Sequence, residues 1–204
     1  MSRFSQAISE GDGISVIPLL EGDVEELATL AESAGAEAVA VAAPDVERVR
    51  GRTTLPILAR ANDPDLVSRA GADAWILMFS KLAGDGERLE ELHAYTRELG
   101  LDCPVDVRNE DELQEALERV DPDIVLISER RLDREEEDLE RTLDVLADVP
   151  AGKLVISEAR IDSREQVIAL ERAGVDAVLV RGLAPGSGFS GALEELVGGS
   201  GAHR

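Results

Sequence analysis

Four similar phrases recur along the chain and divide it into repeating units. They read AGAEAVAVA at residues 34–42, AGADAWILM at 70–78, VDPDIVLIS at 120–128 and AGVDAVLVR at 173–181. Each phrase follows a helix-like stretch and opens an apolar run, and one further strand candidate lies between successive phrases. Two strand–helix modules used four times make eight modules, which predicts one α/β domain folded as a (βα)8 barrel.

The apolar runs set the expected boundaries of this barrel. A length of 204 residues is close to the lower limit of about 200 for a TIM barrel, so the loops after the strands must be short and a second domain has no room. The barrel is expected over residues 14–197, between a short N-terminal segment at 1–13 and a flexible tail at 198–204. Unusually short loops are expected after strands 1 and 2. The predicted strands cover 14–20, 37–42, 55–59, 74–79, 103–107, 123–128, 153–157 and 176–180.

Charge and composition argue against several classes of function. The formal net charge is −22, so the surface is expected to repel nucleic acid and anionic membranes. No apolar run reaches the ~18 residues of a membrane span, and the start MSRFSQAISEGDG lacks an apolar signal core, so we expect a cytoplasmic protein. Cys103 is the only cysteine and is expected to be a small core residue, while His93 is predicted to be solvated. No spacing of metal ligands is present, and no cofactor is expected.

The residues that follow the strands reverse the sign of the chain's charge. In a barrel of this class, chemistry takes place at the carboxyl ends of the strands. Arginine binds carboxylate and phosphate in bidentate geometry, so arginines there favour a site for a small anionic molecule. A ring of arginine–carboxylate pairs that only closes the barrel top would give the same pattern. The candidate residues are Arg60, Lys81, Asp106, Ser128, Arg130, Glu158, Arg160 and Arg181.

The loop after strand 8 is rich in glycine. It reads RGLAPGSGFSG at residues 181–191 and contains G-x-G-x-x-G, but only 13 residues follow, too few for the ~30-residue unit that binds a dinucleotide. Barrels often hold phosphate with the loops after strands 7 and 8 and the start of a short helix. The amides of Gly182, Gly186 and Gly188 are therefore candidate phosphate ligands. A flexible glycine-rich tail is the alternative interpretation.

Five segments of the chain resemble indole-3-glycerol phosphate synthase, the tryptophan-pathway barrel that decarboxylates its substrate and closes an indole ring. LPILARANDPDLVSRAGADAWIL is similar to the family's L-P-V-L-R-K-D-F stretch followed by G-A-D-A-I-L-L, and GLDCPVDVRNEDELQEAL to its G-L-x-x-L-V-E-V-H-x-x-x-E-L. IVLISERRL is similar to I-I-G-I-N-N-R-D-L, LVISEARI to L-V-S-E-S-G-I, and GVDAVLVRGL to G-x-D-A-V-L-V-G-E-S-L. The resemblance is collinear over about residues 14–197. It implies a barrel that, if active, is a carbon–carbon lyase.

The resemblance also implies where the family's functional residues fall in the first half of the barrel. The Glu-x-Lys pair of strand 1 falls on Leu19 and Glu21, so both side chains are lost. The strand 3 lysine, a key acid, falls on Arg60, which holds its proton too firmly to donate it near neutral pH. The strand 5 glutamate becomes Asp106, which is one methylene shorter. The long loop after strand 1 and most of the family's N-terminal extension have no counterpart.

In the second half of the barrel the family pattern is partly kept. The strand 6 asparagine falls on Ser128, and the nearby arginine is kept as Arg130. The strand 7 glutamate is kept as Glu158, but the Ser-Gly that follows it and helps hold phosphate becomes Ala159-Arg160. The strand 8 Gly-Glu-Ser becomes the segment 181–183, Arg-Gly-Leu. The acid–base groups are therefore the part of the family pattern that is lost.

Three hypotheses follow. The first is a barrel of this family that lacks or has strongly reduced standard activity and binds a small phosphorylated or carboxylated ligand through its mouth arginines. The second is an active lyase with relocated groups, with Lys81 at the strand 4 end and Glu158 as the base. The third is a non-catalytic barrel that serves a structural or partner-binding role. If catalysis remains, its candidate residues are Glu158, Asp106, Arg60 and Lys81.

Overall fold

Eight parallel strands alternate with helices in the part of the chain that the structure describes. The structure is a computed structural model, and it describes residues 2–11, 13–82, 85–128, 139–184, 186 and 188–198. The strands are β1 (Ser15–Pro18), β2 (Val39–Ala42), β3 (Ile57–Arg60), β4 (Ala74–Trp75 and Leu77–Met78), β5 (Val105–Val107), β6 (Ile124–Ser128), β7 (Leu154–Ala159) and β8 (Ala177–Val180).

The strands close on themselves in chain order. β8 pairs with both β7 and β1, and β5, β6 and β7 pair in sequence. The first half of β4 pairs with β3 and its second half with β5, so this split strand joins the two sheets. A bridge between Leu19 and Ala40 joins β1 to β2, which pairs with β3. The prediction of a (βα)8 barrel is therefore confirmed.

Helices cover the outside of the barrel, and several begin where the sequence places a capping residue. The side chains of Asp23, Asp63, Asn109 and Ser163 each accept a hydrogen bond from a backbone N–H in the first turn of the next helix. The loops after β1 and β2 are short, as predicted. The helices are α1 (Arg3–Ser9), α2 (Val24–Ser33), α3 (Val46–Arg50), α4 (Pro64–Arg69), α5 (Gly86–Glu98), α6 (Glu110–Arg119), α7 (Leu139–Ala147), α8 (Arg164–Ala173) and α9 (Phe189–Val197), with 3-10 turns at Ala43–Asp45 and Phe79–Lys81.

The core has two layers because side chains alternate between the two faces of each strand. One layer fills the inside of the barrel and includes Ile17, Leu58, Leu126 and Ile156. The other lies between the strands and the helices, and Val155 belongs to it. Among the described residues, every helix is too short or too polar to cross a lipid bilayer.

Helix α1 closes the N-terminal end of the barrel, and the sequence analysis predicts no element there. Phe4 and Ile8 are 0% and 2% exposed and join the cluster inside the barrel. The carboxylate of Asp102, just before β5, accepts hydrogen bonds from the Ser5 amide at 2.7 Å and from the Ser2 hydroxyl. The first residues of the chain therefore complete the core from below.

An acidic residue at the start of the repeated phrases binds the strand before it. The Asp73 carboxylate accepts a hydrogen bond from the Ile57 amide at 2.8 Å, and the Asp176 carboxylate accepts one from the Val155 amide at 2.7 Å. These amides stand at or near the start of β3 and β7, where the ladder leaves backbone donors without a partner. In these two phrases the acid therefore holds neighbouring strands together at the bottom of the barrel.

Two sequence predictions about single residues have different outcomes. The prediction that His93 is solvated is wrong: it is 7% exposed and lies on the buried face of α5 with Leu89 and Thr96. Burial lowers the pKa of His93, the nearby charge of Arg97 lowers it further, and Asp123 opposes them. The prediction that Cys103 is a core residue is confirmed, because the thiol is buried and burial raises its pKa to about 12.

Candidate functional site

The predicted site residues fall on the inward-facing positions at the carboxyl ends of the strands. On β3, Leu58 lies inside the barrel and Arg60, two residues later, points the same way. The same spacing carries Ile156 to Glu158 on β7 and Leu126 to Ser128 on β6. Strand periodicity therefore turns a set of distant residues into one cluster at the barrel mouth.

Glu158 is the centre of this cluster. Its side chain is completely buried, and Oε2 lies 2.6 Å from Nη2 of Arg60. Its other oxygen, Oε1, lies 3.5 Å from Nε of Arg181. Because β3 and β7 stand on opposite sides of an eight-stranded barrel, the pair between Arg60 and Glu158 spans the mouth. A buried carboxylate requires such compensation, since an unpaired charge in this position would cost several kcal/mol.

A second polar pair lies beside the first. Asp106 on β5 and Ser128 on β6 are 6% and 2% exposed, and the Ser128 hydroxyl donates a hydrogen bond to Oδ1 of Asp106. The register of β6 and β7 sets Ser128 opposite Glu158, so the two pairs are neighbours. We call Arg60, Asp106, Ser128, Glu158 and Arg181 the mouth cluster. Its two guanidinium groups and two carboxylates balance in formal charge.

The indole of Trp75 fixes the chain just beyond Arg60. Its Nε1 donates a buried hydrogen bond of 3.1 Å to the carbonyl of Ala61. Trp75 faces the helices, on the other side of β4 from the barrel interior. The backbone that carries Arg60 into the mouth is thereby held in place from outside.

Arg160 stays at the rim and does not join the mouth cluster. Its side chain is 66% exposed, and Nε lies 3.7 Å from Oδ1 of Asp162. The same Nε would lie 4.0 Å from a Cβ added at Gly182, so the guanidinium group sits close to the loop after β8. Gly182 adopts a left-handed conformation with φ 75°, which favours glycine.

The loop after β8 leads directly into α9. Gly186 also has a positive φ of 89°, and Gly188 is the residue that precedes the helix. Gly188 has no side chain with which to cap the helix, so the first turn of α9 presents backbone N–H groups to its surroundings. Gly182 therefore lies beside Arg160, and Gly186 and Gly188 lie at the start of α9.

Lys81 lies apart from this arrangement. Lys81 ends the 3-10 turn after β4, where its Nζ donates an exposed hydrogen bond of 2.8 Å to Oδ1 of Asn62. In the part of the chain that the structure describes, no ion pair joins Lys81 to Glu158. Arg130 lies outside the described residues.

The apolar part of the mouth was missed by the sequence analysis. Leu19, Ala42 and Met78 follow inward-facing residues of β1, β2 and β4 by two positions, and Ala42 is exposed. The alternation that identifies Arg60 and Glu158 identifies these residues equally well, but they carry no charge that would draw attention to them. The mouth therefore also has apolar positions, at the ends of β1, β2 and β4. No cluster of three or more potential metal ligands is found within the described residues.

Comparisons with known proteins place this barrel among related chains. A family model described as indole-3-glycerol phosphate synthase matches residues 63–184. The chain is 38% identical over 140 residues to the indole-3-glycerol phosphate synthase of Burkholderia vietnamiensis, a match covering 66% of this chain and 52% of that one. It is 32% identical over 176 residues to that of Bacillus cereus, covering 79% and 68%. The chain thus spans about half the length of the first relative.

Solved structures show the same fold at lower identity. N-acetylmannosamine-6-phosphate 2-epimerase from Clostridium perfringens is 18% identical, with a TM-score of 0.68 over 86% of this chain and 87% of that one. An aldolase named QR15 is also 18% identical, with a TM-score of 0.68 over 91% and 94%. At this level of identity the likeness concerns the fold alone.

Proposed function

This chain belongs to the indole-3-glycerol phosphate synthase family, and from that premise we propose that it has lost, or strongly reduced, the family's standard carboxy-lyase activity. We further propose that the rim of its mouth binds a small phosphorylated or carboxylated molecule. The single observation that carries the first proposal is the ion pair between Arg60 and Glu158. Arg60, which replaces the family's lysine acid, is here bound across the mouth to Glu158, the glutamate that is kept from the family pattern.

The chemistry of the two residues supports a loss of proton transfer. General acid catalysis needs a group that gives up its proton near the working pH, and a guanidinium group does not. Glu158 is compensated by Arg60 and Arg181 and is completely buried, so a substrate would have to break these contacts to reach it. The remaining lysine of strand 1 in the family pattern falls on Glu21, which is exposed.

The proposed ligand site lies at the rim rather than in the mouth cluster. Arg160 is exposed, is only 3.7 Å from its rim partner Asp162, and lies near Gly182. The N-terminal end of α9 adds backbone donors and the positive end of a helix dipole. On a chain with a net charge of −22, this is a place where positive groups gather without being buried.

One alternative is favoured by a specific observation. Arg181 turns towards Glu158, so the mouth cluster also fits a barrel whose arginines only close its top and whose role is structural or partner-binding. A lyase with relocated groups gains no such support. Lys81 bonds to Asn62 on the rim, and no contact of Lys81 with substrate-facing residues of the mouth cluster is found among the described residues.

Two measurements test the proposals. With the family's anthranilate-derived ribulose phosphate as substrate, turnover is expected to be absent or many orders of magnitude below the ~1–1,000 per second typical of enzymes. Ordinary turnover would overturn the first proposal. Titration of inorganic phosphate by calorimetry into the wild type and into Arg160→Ala tests the second. Heat from the wild type that disappears in the variant is expected, and a ligand at 100 times its Kd would raise the free energy of unfolding by ~2.7 kcal/mol. The absence of heat from both proteins would favour the structural role.

A further inference from the structure

Glu158 holds two arginines in the way that a bound anion would hold them. We infer, on the basis of the proposed ligand site, that Glu158 is an internal competitor for that ligand. Its carboxylate lies between Arg60 and Arg181, which stand on β3 and at the end of β8. An incoming anion can use Arg181 only by drawing it away from Glu158. The ion pair between Glu158 and Arg181 therefore sets the affinity for an anion and the anion charge that is preferred.

Among the ion pairs that the described residues form, the two arginine contacts of Glu158 are unequal, and we take the longer one as the contact that exchanges. Nη2 of Arg60 lies 2.6 Å from Glu158, whereas Nε of Arg181 lies 3.5 Å from it, beyond the normal length of an N–H···O bond. The side chain of Arg181 is also more exposed, at 26% against 15%. Arg181 is thus the weaker and more accessible of the two contacts.

The position of Arg181 allows it to share a ligand with Arg160. Arg181 immediately precedes Gly182, and Nε of Arg160 approaches that glycine. An anion held by both arginines would therefore lie at the rim, close to Gly182. Because Gly182 carries no side chain, the backbone leaves this approach open.

Release of Arg181 does not leave a buried charge uncompensated. Arg60 keeps its short contact with Glu158, so the carboxylate retains a partner when Arg181 moves. Within the described residues, Nε of Arg60 is buried without a hydrogen-bond partner, which shows that the closed mouth does not satisfy all of its donors. With Arg181 on Glu158, and equally with Arg181 on the ligand, some buried polar groups of the described residues have partners and others do not. The exchange is therefore between two states of similar kind.

This competition selects for a doubly charged ligand. Coulomb energy scales with the product of the charges, so a phosphate monoester dianion gains about twice as much from Arg160 and Arg181 as a monocarboxylate does. Both ligands must compete with the same single charge of Glu158. The competition therefore favours a dianion such as phosphate over a simple carboxylate.

The test compares the wild type with Glu158→Gln, which removes the competing charge. Inorganic phosphate and acetate are titrated by calorimetry at constant ionic strength. Glu98→Gln is the matched control, because Glu98 is an exposed acid at the end of α5 and its loss changes the net charge equally. We expect Glu158→Gln to bind phosphate at least about fivefold more tightly than the wild type, a typical coupling between sites, and Glu98→Gln to match the wild type. Adding Arg181→Gln to Glu158→Gln should remove the gain.

The outcomes separate this inference from the proposed function. Phosphate binding by the wild type that is unchanged in Glu158→Gln would overturn the competitor role and leave the ligand site standing. Binding by Glu158→Gln alone would support the competitor role and refute the site in the wild type. If Glu158→Gln is unfolded in chloride, recovery of its circular dichroism in phosphate of equal ionic strength supports the inference, and no recovery overturns it. Acetate bound as tightly as phosphate would refute the selection by charge.

Discussion

Arg60 and Glu158 are separated by 98 positions in the sequence, yet Nη2 of the first lies 2.6 Å from Oε2 of the second. The two residues stand at the ends of strands on opposite sides of the barrel, so their ion pair crosses the mouth. In an eight-stranded barrel the interior is just wide enough for side chains to fill. This ion pair therefore blocks the entrance to the barrel interior, and any ligand that enters must first displace it.

Breaking this pair from one side is expected to destabilise the protein. Arg60→Met leaves Glu158 buried with Arg181 as its remaining counter-charge among the described ion pairs, and we expect the free energy of unfolding to fall by about 3 kcal/mol. The double variant with Arg60→Met and Glu158→Met should lose less free energy of unfolding than Arg60→Met alone, because the buried carboxylate is then absent. Urea denaturation of the three proteins measures both effects. A double variant that is less stable than Arg60→Met would contradict this account.

Helix α1 is expected to contribute to global stability although it precedes the barrel. Phe4→Ala removes a completely buried ring from the lower end of the interior and should lower the free energy of unfolding by about 3–5 kcal/mol. Gln6→Ala, on the exposed side of the same helix, is the matched control and should change it by less than about 0.5 kcal/mol. Thermal denaturation distinguishes the two. Equal melting temperatures would show that α1 is not part of the core.

The phrase that begins at residue 120 carries aspartate where the other three carry glycine. Asp121 has a φ of 42°, and Nζ of Lys153 donates to its Oδ1 at 2.5 Å. Asp121→Ala keeps the left-handed backbone but removes this contact, so it should lower the free energy of unfolding by about 1–2 kcal/mol. Asp121→Gly relieves the backbone and should cost no more than about 0.5 kcal/mol. Chemical denaturation in urea is the measurement, and a larger loss in the glycine variant would refute the argument.

The two phrase aspartates that bind a preceding strand are expected to differ when each is replaced by asparagine. Asp73 also forms ion pairs with Arg50 and Arg3, so Asp73→Asn should be destabilising by about 1–3 kcal/mol.

Burial raises the pKa of Asp176, although the Val155 amide opposes this. Its ionised form is thus disfavoured by folding, and wild-type stability falls as the pH rises above about 3.8 through the raised pKa. Asp176→Asn keeps the acceptor without the charge and should match or exceed the wild type at pH 7.

His93 gives a pH dependence of the opposite sign. Because burial lowers its pKa below 6.5, the unfolded chain binds the proton more tightly than the folded chain. The free energy of unfolding is therefore expected to fall as the pH drops through 6.5 towards the lowered folded value. His93→Gln should flatten this part of the stability profile, measured by urea denaturation between about pH 7.5 and about pH 5.0, a range that brackets the ordinary histidine pKa of ~6.5. An unchanged slope would show that other groups cause it.

The barrel itself could be predicted because its signals are local and repeated. Buried parallel strands read as apolar runs, and residues such as Asp23 and Ser163 mark helix starts by their own hydrogen bonds. The members of the mouth could also be predicted, since strand ends meet at one face. Which arginine pairs with Glu158 could not, because that choice depends on side-chain reach across the barrel. The exposed position of Arg160 at the rim could not be predicted for the same reason.

Helix α1 and His93 show a second limit. Seven residues carry too few turns for hydrophobic periodicity to stand out, and the contacts that order α1 come from the barrel. His93 follows the buried Leu89 by one helical turn, so its burial is visible in the spacing, but its polarity argues for the opposite. In both cases tertiary packing decides the outcome.

The pairing of β1 with β8 has a consequence for biosynthesis. Within the barrel, β1 is synthesised before the other strands, and β8, its neighbour on one side, is synthesised after them. Until residues 177–180 are made, one edge of β1 keeps its backbone donors and acceptors unpaired. Joining segments so distant in the chain is the slow, entropically costly kind of contact. The barrel thus remains an open sheet until β8 is made, and a chain that stops before β8 carries an exposed edge and an unsealed interior into the cell.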